Sequence, residues 1–145
     1  MILTPADGKT DDERFVLAFL DLWDKQDVDG LIASFTQDAT YKDMPLPPRV
    51  GLDAIRAYIE RIFSAFGVRI ETAHIATTGS VIFTERIDYL TQTGPNEPTV
   101  PLPVTGVMEM RDGKIAFWRD YLDLRTAEEG LGIKIRADVE GQHIG

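Results

Sequence analysis

An α+β domain, with a curved, mainly antiparallel sheet rolled into a cone and N-terminal helices covering its inner face, is the fold this sequence predicts. Three observations carry it. Apolar residues recur at helical spacing up to Gly67, the spacing changes to alternation from Val68 onward, and turn signals at Gly79, Thr93-Gly94-Pro95-Asn96 and Asp112-Gly113 then cut the second half into strands. Helices first and antiparallel strands afterwards place the helices on one face of a single sheet.

A chain of 145 residues suits one domain with its own core, read here as 1–145 with a loose lead-in at 1–9 and an unreadable tail at 132–145. A net charge of -9 argues against nucleic acid or an anionic membrane as partner, and the absence of cysteine excludes disulfides, thiol catalysis and thiolate zinc sites. Met1 to Glu13 has one Lys, several acids and no long apolar core, so it does not read as a signal peptide. No stretch is long and apolar enough to span a membrane, and the expectation is a cytoplasmic protein.

Thr10 with Glu13 three positions later reads as a capping box for a helix over roughly residues 11 to 25, whose face is Val16, Phe19, Leu20 and Trp23. A second helix starts from Asp27 with Val28, Leu31, Ile32 and Phe35 at the same spacing. A short strand follows over Asp38 to Met44, with Tyr41 and Asp43 on one side, and stops at the stiff Pro45-Leu46-Pro47-Pro48 loop. After Gly51 a third helix carries Asp53 in its first turn and buries Ile55, Ile59, Ile62 and Phe66, with Gly67 as its stop. Four strands in a meander are expected near 68–77, 80–92, 99–111 and 114–124, and Arg125 to Leu131 suits a last helical turn or two.

Strand parity then sorts the side chains. Arg86 and Asp88 share a face with the apolar Ile82 and Leu90, so they point inward and Phe83, Ile87 and Tyr89 point outward. In the last strand Trp118 and Asp120 point inward, Phe117 and Tyr121 outward, and Arg119 and Asp123 are outward charges at the surface or in a dimer. So aromatic an outer face suggests a homodimer packed sheet to sheet, the alternative being cover by the C-terminal tail.

A buried Arg with an Asp is either a structural ion pair or a site. A second interior acid, Asp120, favours a site, because two neighbouring carboxyls cannot easily both be charged and one holds a proton. An acid and a base can then stand ready together beside Arg86. Tyr41 and Asp43 complete the candidate set, although Asp43 alone reads equally as a strand-end acid facing solvent. Ile62, Phe66, Leu102, Val104, Met108, Trp118 and Leu122 are the expected pocket wall. No Gly-x-Ser-x-Gly elbow, Walker loop, dinucleotide fingerprint or His-Glu-x-x-His helix is present, His74 reads as packed or surface, and His143 lies in the tail. No cofactor is implied, and an Arg between the carboxylates argues against a metal.

Tyr-x-x-Met-Pro-Leu-Pro-Pro at 41–48, Thr-Glu-Arg-Ile-Asp at 84–88, and Gly-Lys-Ile followed by Trp-Arg-Asp-Tyr-x-Asp-Leu-Arg within 113–125 resemble the limonene-1,2-epoxide hydrolase family. The resemblance runs from the first helix to about Leu131. It implies a cone of the nuclear-transport-factor-2 and ketosteroid-isomerase type, usually a homodimer, and one-step hydrolysis of a small, largely apolar epoxide without covalent intermediate or cofactor. By position, Asp120 would take the proton from the attacking water, Asp88 would protonate the epoxide oxygen, Arg86 would bridge both acids, and Tyr41 would help hold the water. Asp43 stands where the family has an Asn, which puts a third acid beside Asp120. On that reading Asp43→Asn is expected to raise hydrolysis. A proton-shuttling isomerase or cyclase on the same cone, and a small-ligand-binding protein without turnover, are the alternatives.

Overall fold

The computed structural model describes residues 1–133. The expectations for the rest of the tail, His143 included, lie outside the described residues. After a 3-10 turn at Pro5–Asp7 come α1 (Asp11–Asp21), α2 (Val28–Ala33), β1 (Phe35–Met44), β2 (Arg49–Val50) and α3 (Leu52–Ala65). Then follow β3 (Phe66–Thr78), β4 (Val81–Gln92), β5 (Thr99–Arg111), β6 (Lys114–Leu122) and α4 (Leu124–Leu131). The strands form one curled sheet in the order β2-β1-β6-β5-β4-β3. β3 to β6 are the expected antiparallel meander, and β1 joins it parallel to β6.

The turns obey their residues. Asp112 and Gly113 both have positive φ, 52° and 76°, as the tight β5–β6 hairpin requires. Register shifts leave Ala73 of β3 and Ala116 of β6 as extra residues against β4 and β5, and such bulges bend the strand that carries them and curl a sheet toward a cone. Pro101 and Pro103 have no N–H to give to a third strand. They lie where β5 has already run past β6, whose pairing begins at Leu122 opposite Val104.

Several boundaries differ from the sequence reading. α1 stops at Asp21 rather than near 25, and residues 22–26 form a turn in which Gln26 has a φ of 53°. Phe35 opens β1 instead of closing the second helix, yet its ring is buried against Phe19 either way. Phe66 opens β3 with extended backbone, so Gly67 lies within a strand and does not stop α3. The two-residue β2, which folds the proline loop back onto β1, was not expected. Thr10 caps α1 by accepting from the Glu13 N–H at 3.0 Å, but the Glu13 carboxylate closes no box with Thr10. It accepts from the Lys9 N–H and the Thr77 hydroxyl, which pins α1 to β3 and, through those hydrogen bonds, lowers the Glu13 pKa.

The helices cover the inner face as expected. Val16, Phe19, Leu20 and Trp23 of α1 and its turn, with Leu31, Ile55 and Ile59, pack on Ile82, Met108, Ile115 and Trp118 of the sheet. Each such fully buried aliphatic side chain stabilises by about 1.5–3 kcal/mol. On the outer face Phe83, Ile87 and Tyr121 remain 40%, 38% and 45% exposed, so their outward parity holds. Phe117 and Tyr89 also point outward but are partly covered by the guanidinium groups of Arg119 and Arg69.

Candidate active site

The middle of β4, β5 and β6 builds the charged centre. Arg86 side chain is fully buried and uses all five of its N–H groups. Nε and Nη2 donate to Asp88 at 3.1 and 2.9 Å, Nη1 and Nη2 donate to Asp120 at 3.0 and 2.9 Å, and Nη1 also reaches the Thr84 hydroxyl at 3.3 Å. The Trp118 indole N–H adds a bond of 2.7 Å to Asp120 Oδ1. A guanidinium saturated in this way cannot rotate without leaving a buried charge unpaired, which fixes both carboxyl groups.

Arg86 lies on β4 and Asp120 on β6, so their bond crosses β5. It crosses at Gly106, opposite Thr84 on one side and Asp120 on the other. A Cβ there would run into Arg86 Nη1 and stand 2.8 Å from Asp120 Oδ1. The glycine is the gap through which the ion pair passes, a role the sequence reading missed.

Asp43 does not face solvent: it is 7% exposed and stands in register with Asp120 on the parallel neighbour strand. Its Oδ2 accepts from Arg49 of β2 at 3.3 Å and from the Tyr58 hydroxyl of α3. The Arg49 guanidinium lies over the Tyr58 ring, 3.3 Å from its centroid. Neither Arg49 nor Tyr58 was singled out from sequence. Tyr58 was legible, since it falls three after Ile55 and four before Ile62 on the buried stripe of α3. Tyr41 stacks on Trp118 at 4.2 Å between ring centroids, and its hydroxyl has no hydrogen-bond partner among the described residues.

Burial dominates the acid–base balance. It pushes Asp120 up to about 6 against the opposing pull of Arg86, with Asp88 and Asp43 adding to the rise. Asp43 is also raised by burial, while Tyr58 and Arg49 pull it back. The Tyr41 and Tyr58 hydroxyls are driven well above the usual tyrosine range by burial and by Asp43, so both remain donors. Burial works against the Arg86 charge, but Asp120 and Asp88 outweigh it and keep the guanidinium protonated.

These groups border a cavity of about 630 Å³ between α3, α4 and the sheet. Tyr41, Asp43, Asp88 and Asp120 reach it, as do Arg49 and Tyr58, and Arg86 supports it from beneath. Of the expected wall, Ile62, Phe66, Leu102, Trp118 and Leu122 line it. Val104 and Met108 do not. Met108 is spent in the core against the helices, and Val104 packs with Leu102 and Ala127 under α4. Leu124, Ala127 and Leu131 of α4 close one side, held there by Asp123, which caps the helix by accepting from the Arg125 N–H and the Thr126 hydroxyl. Asp123, expected as an outward charge, is exposed and serves as the cap of α4. His74 is a surface residue paired with Glu85. Among the described residues no His, Asp and Glu side chains cluster as a metal-holding group.

A mainly apolar cavity with a bridged carboxyl pair on its wall defines a class of protein: a cone-shaped α+β enzyme equipped for acid–base chemistry. The particular family follows from comparison. A sequence model described as the limonene-1,2-epoxide hydrolase catalytic domain matches residues 10–131. Epoxide hydrolase EphG of Mycobacterium tuberculosis is 31% identical over 116 residues, 80% of this chain and 76% of that protein. The structure of an M. tuberculosis LEH-like epoxide hydrolase is 30% identical with a TM-score of 0.74, covering 83% of this chain and 89% of that one. SalBIII, described as an epoxide hydrolase/cyclase-like enzyme, shares the fold at 23% identity with a TM-score of 0.72, over 79% and 92% of the two chains. The chain belongs to the limonene-1,2-epoxide hydrolase family, and as a member it is a hydrolase.

Proposed function

We propose that this protein adds water to a small, largely apolar epoxide, of the size of limonene-1,2-epoxide, in one step and without a covalent intermediate. The observation that carries the reading is the single buried Arg86 holding Asp88 and Asp120 together on the wall of an otherwise mainly apolar cavity. Asp120 has one Oδ2 position left after its bonds to Arg86 and Trp118, and above about pH 6 it is ionised and basic enough to take a proton from water. Tyr41 donates to the same water and orients its lone pair. As the water oxygen bonds to an epoxide carbon, the carbon–oxygen bond of the ring breaks and Asp88 supplies the proton to the departing oxygen. Asp120 ends protonated and Asp88 ionised, both against Arg86. Return of one proton through cavity water restores the starting state.

The protein acts as a homodimer through the outer face of its sheet, and the cytoplasm is the compartment its composition suits. Among the described residues no helix is long and apolar enough to cross a membrane.

The test is product formation from limonene-1,2-epoxide and cyclohexene oxide in ¹⁸O-water, with Asp88→Asn and Asp120→Asn in parallel. Diol carrying the label in the first turnover is expected, with each variant slowed by about 10²–10⁴-fold. Diol whose label appears only after a first unlabelled turnover would show a covalent ester and overturn the one-step route. Thermal stabilisation by these ligands without any diol would make the protein a binder.

A further inference from the structure

The one-step reaction leaves one ion pair at the cavity unused, Asp43 with Arg49. Three carboxyl groups, Asp43, Asp88 and Asp120, and the Arg49 guanidinium border the cavity, and the Arg86 guanidinium lies beneath them. Arg86 serves Asp88 and Asp120. Arg49 has Asp43 as its only ion partner among the described residues. With both arginines charged, a single proton makes the set neutral, which is the one proton a coupled acid and base require. Take Arg49 away and a second proton is needed, and it would fall on the very groups that must act as base.

The geometry around Asp43 is equally specific. Its position beside Asp120 in the parallel pair brings the two Cα atoms to about 5 Å on one face of the sheet. The groups facing it are Arg49 of β2, Tyr58 of α3, Tyr41 of its own strand, Asp120 of β6, and Arg86 and Asp88 of β4. Arg49 and Tyr58 both bond to Oδ2, and Oδ1 has no hydrogen bond among the described residues. A water attacking an epoxide has two hydrogens, and Asp120 can take only one.

Resting on the hydrolase reading, we propose that Arg49 and Tyr58 are positioning residues: they hold Asp43 as a carboxylate whose free Oδ1 accepts the second hydrogen of the attacking water beside Asp120. An ionised carboxylate serves this purpose as well as an amide oxygen does, because the water needs only an acceptor there. The expectation that Asp43→Asn would raise hydrolysis is thereby reversed. The amide would keep the acceptor but strand Arg49 without its anion, so the productive exchange is of both residues together.

Arg49→Gln, Asp43→Asn, the double variant, Arg49→Lys and Tyr58→Phe test this through the pH profile of kcat/KM. Arg49→Gln is expected to lower kcat/KM at pH 7 by about tenfold or more and to move the acidic limb upward, because a neighbouring like charge disfavours ionisation. Arg49→Lys should return the limb to its place, and the double variant should recover to within about threefold of wild type, the pattern of a coupled pair. Tyr58→Phe should lower kcat with KM little changed. Single effects that multiply in the double variant, with an unmoved limb, would overturn the proposal. Carboxyl NMR of ¹³C-aspartate-labelled protein reads the same link without turnover, the Asp43 resonance being the one lost in Asp43→Asn. A higher Asp43 midpoint in Arg49→Gln supports the charge coupling even if wild type makes no diol, in which case the hydrolase reading alone fails; an unchanged midpoint refutes the coupling.

Discussion

Asp120 ties the pH behaviour of the molecule to its site because burial pushes its pKa up to about 6. Its pKa in the folded chain, about 6, lies above the value of 3.8 it has when free, so folding favours its protonated form. The stability it withholds is nil below about pH 4, grows as the pH rises through the window from 4 to 6, and reaches about 3 kcal/mol above it. Asp120→Asn should remove that slope: denaturation midpoints of wild type are expected to fall between pH 4 and 6.5, and those of the variant to fall less. Glu13, Asp38 and Asp123, whose pKa values are lowered, act with the opposite sign at more acidic pH and equally in both proteins, so they cancel in the comparison. An identical slope in both proteins would mean that Asp120 is not the group titrating. The same midpoint governs catalysis, where kcat/KM should climb through about pH 6 as the base ionises. At this scale Arg86, Asp88 and Asp120 were legible, since charge on an apolar strand face is costly and so stands out. Arg49 was not, because an arginine after a run of prolines looks like any surface residue until its partner is known.

Elements decide which of these residues meet. Alternation reads strand parity well, which is why the inward set on β4 and β6 and the outward Phe83, Ile87 and Tyr121 fall where expected. It says nothing about which strands are neighbours. The parallel pairing of β1 with β6, and therefore the approach of Asp43 to Asp120, is a long-range fact with no local signature. β2, two residues long, has no period to detect, and it is β2 that delivers Arg49. Gly106 shows the limit most sharply. In the sequence it is a glycine inside a strand, which marks close approach without saying of what. The structure supplies the answer, and with it an expectation: Gly106→Ala should put a methyl between Arg86 and Asp120. Overpacking of this kind costs about 1–3 kcal/mol. Here it would also part the bridged acids, so hydrolysis should fall far more than stability does. Urea denaturation and diol formation measured on one preparation separate the two effects. Unchanged turnover would show that the bridge across β5 is not needed.

At the scale of the whole molecule, the sheet has one face buried under helices and one face that no helix of the described residues covers. The cavity and its acids lie entirely on the inner side, within one chain, and their wall was legible in part; Val104 and Met108 were misplaced because period alone cannot tell a cavity wall from the core beneath it. The outer side carries Phe83, Ile87 and Tyr121 close to Pro101 and Pro103, and none of these can satisfy itself by turning inward without reversing the register of its strand. A second copy offers the matching surface, since a twofold interface presents the same patch from both sides. Light scattering is therefore expected to give twice the chain mass of 16.2 kDa. Ile87→Lys with Tyr121→Lys should return a monomer with unchanged far-ultraviolet dichroism, because both positions are already partly exposed and neither touches the Arg86 network. That monomer should retain the coupled acids and so the acidic limb near pH 6. A wild-type monomer at every concentration would remove the dimer, and a dimer indifferent to both lysines would move it to another face.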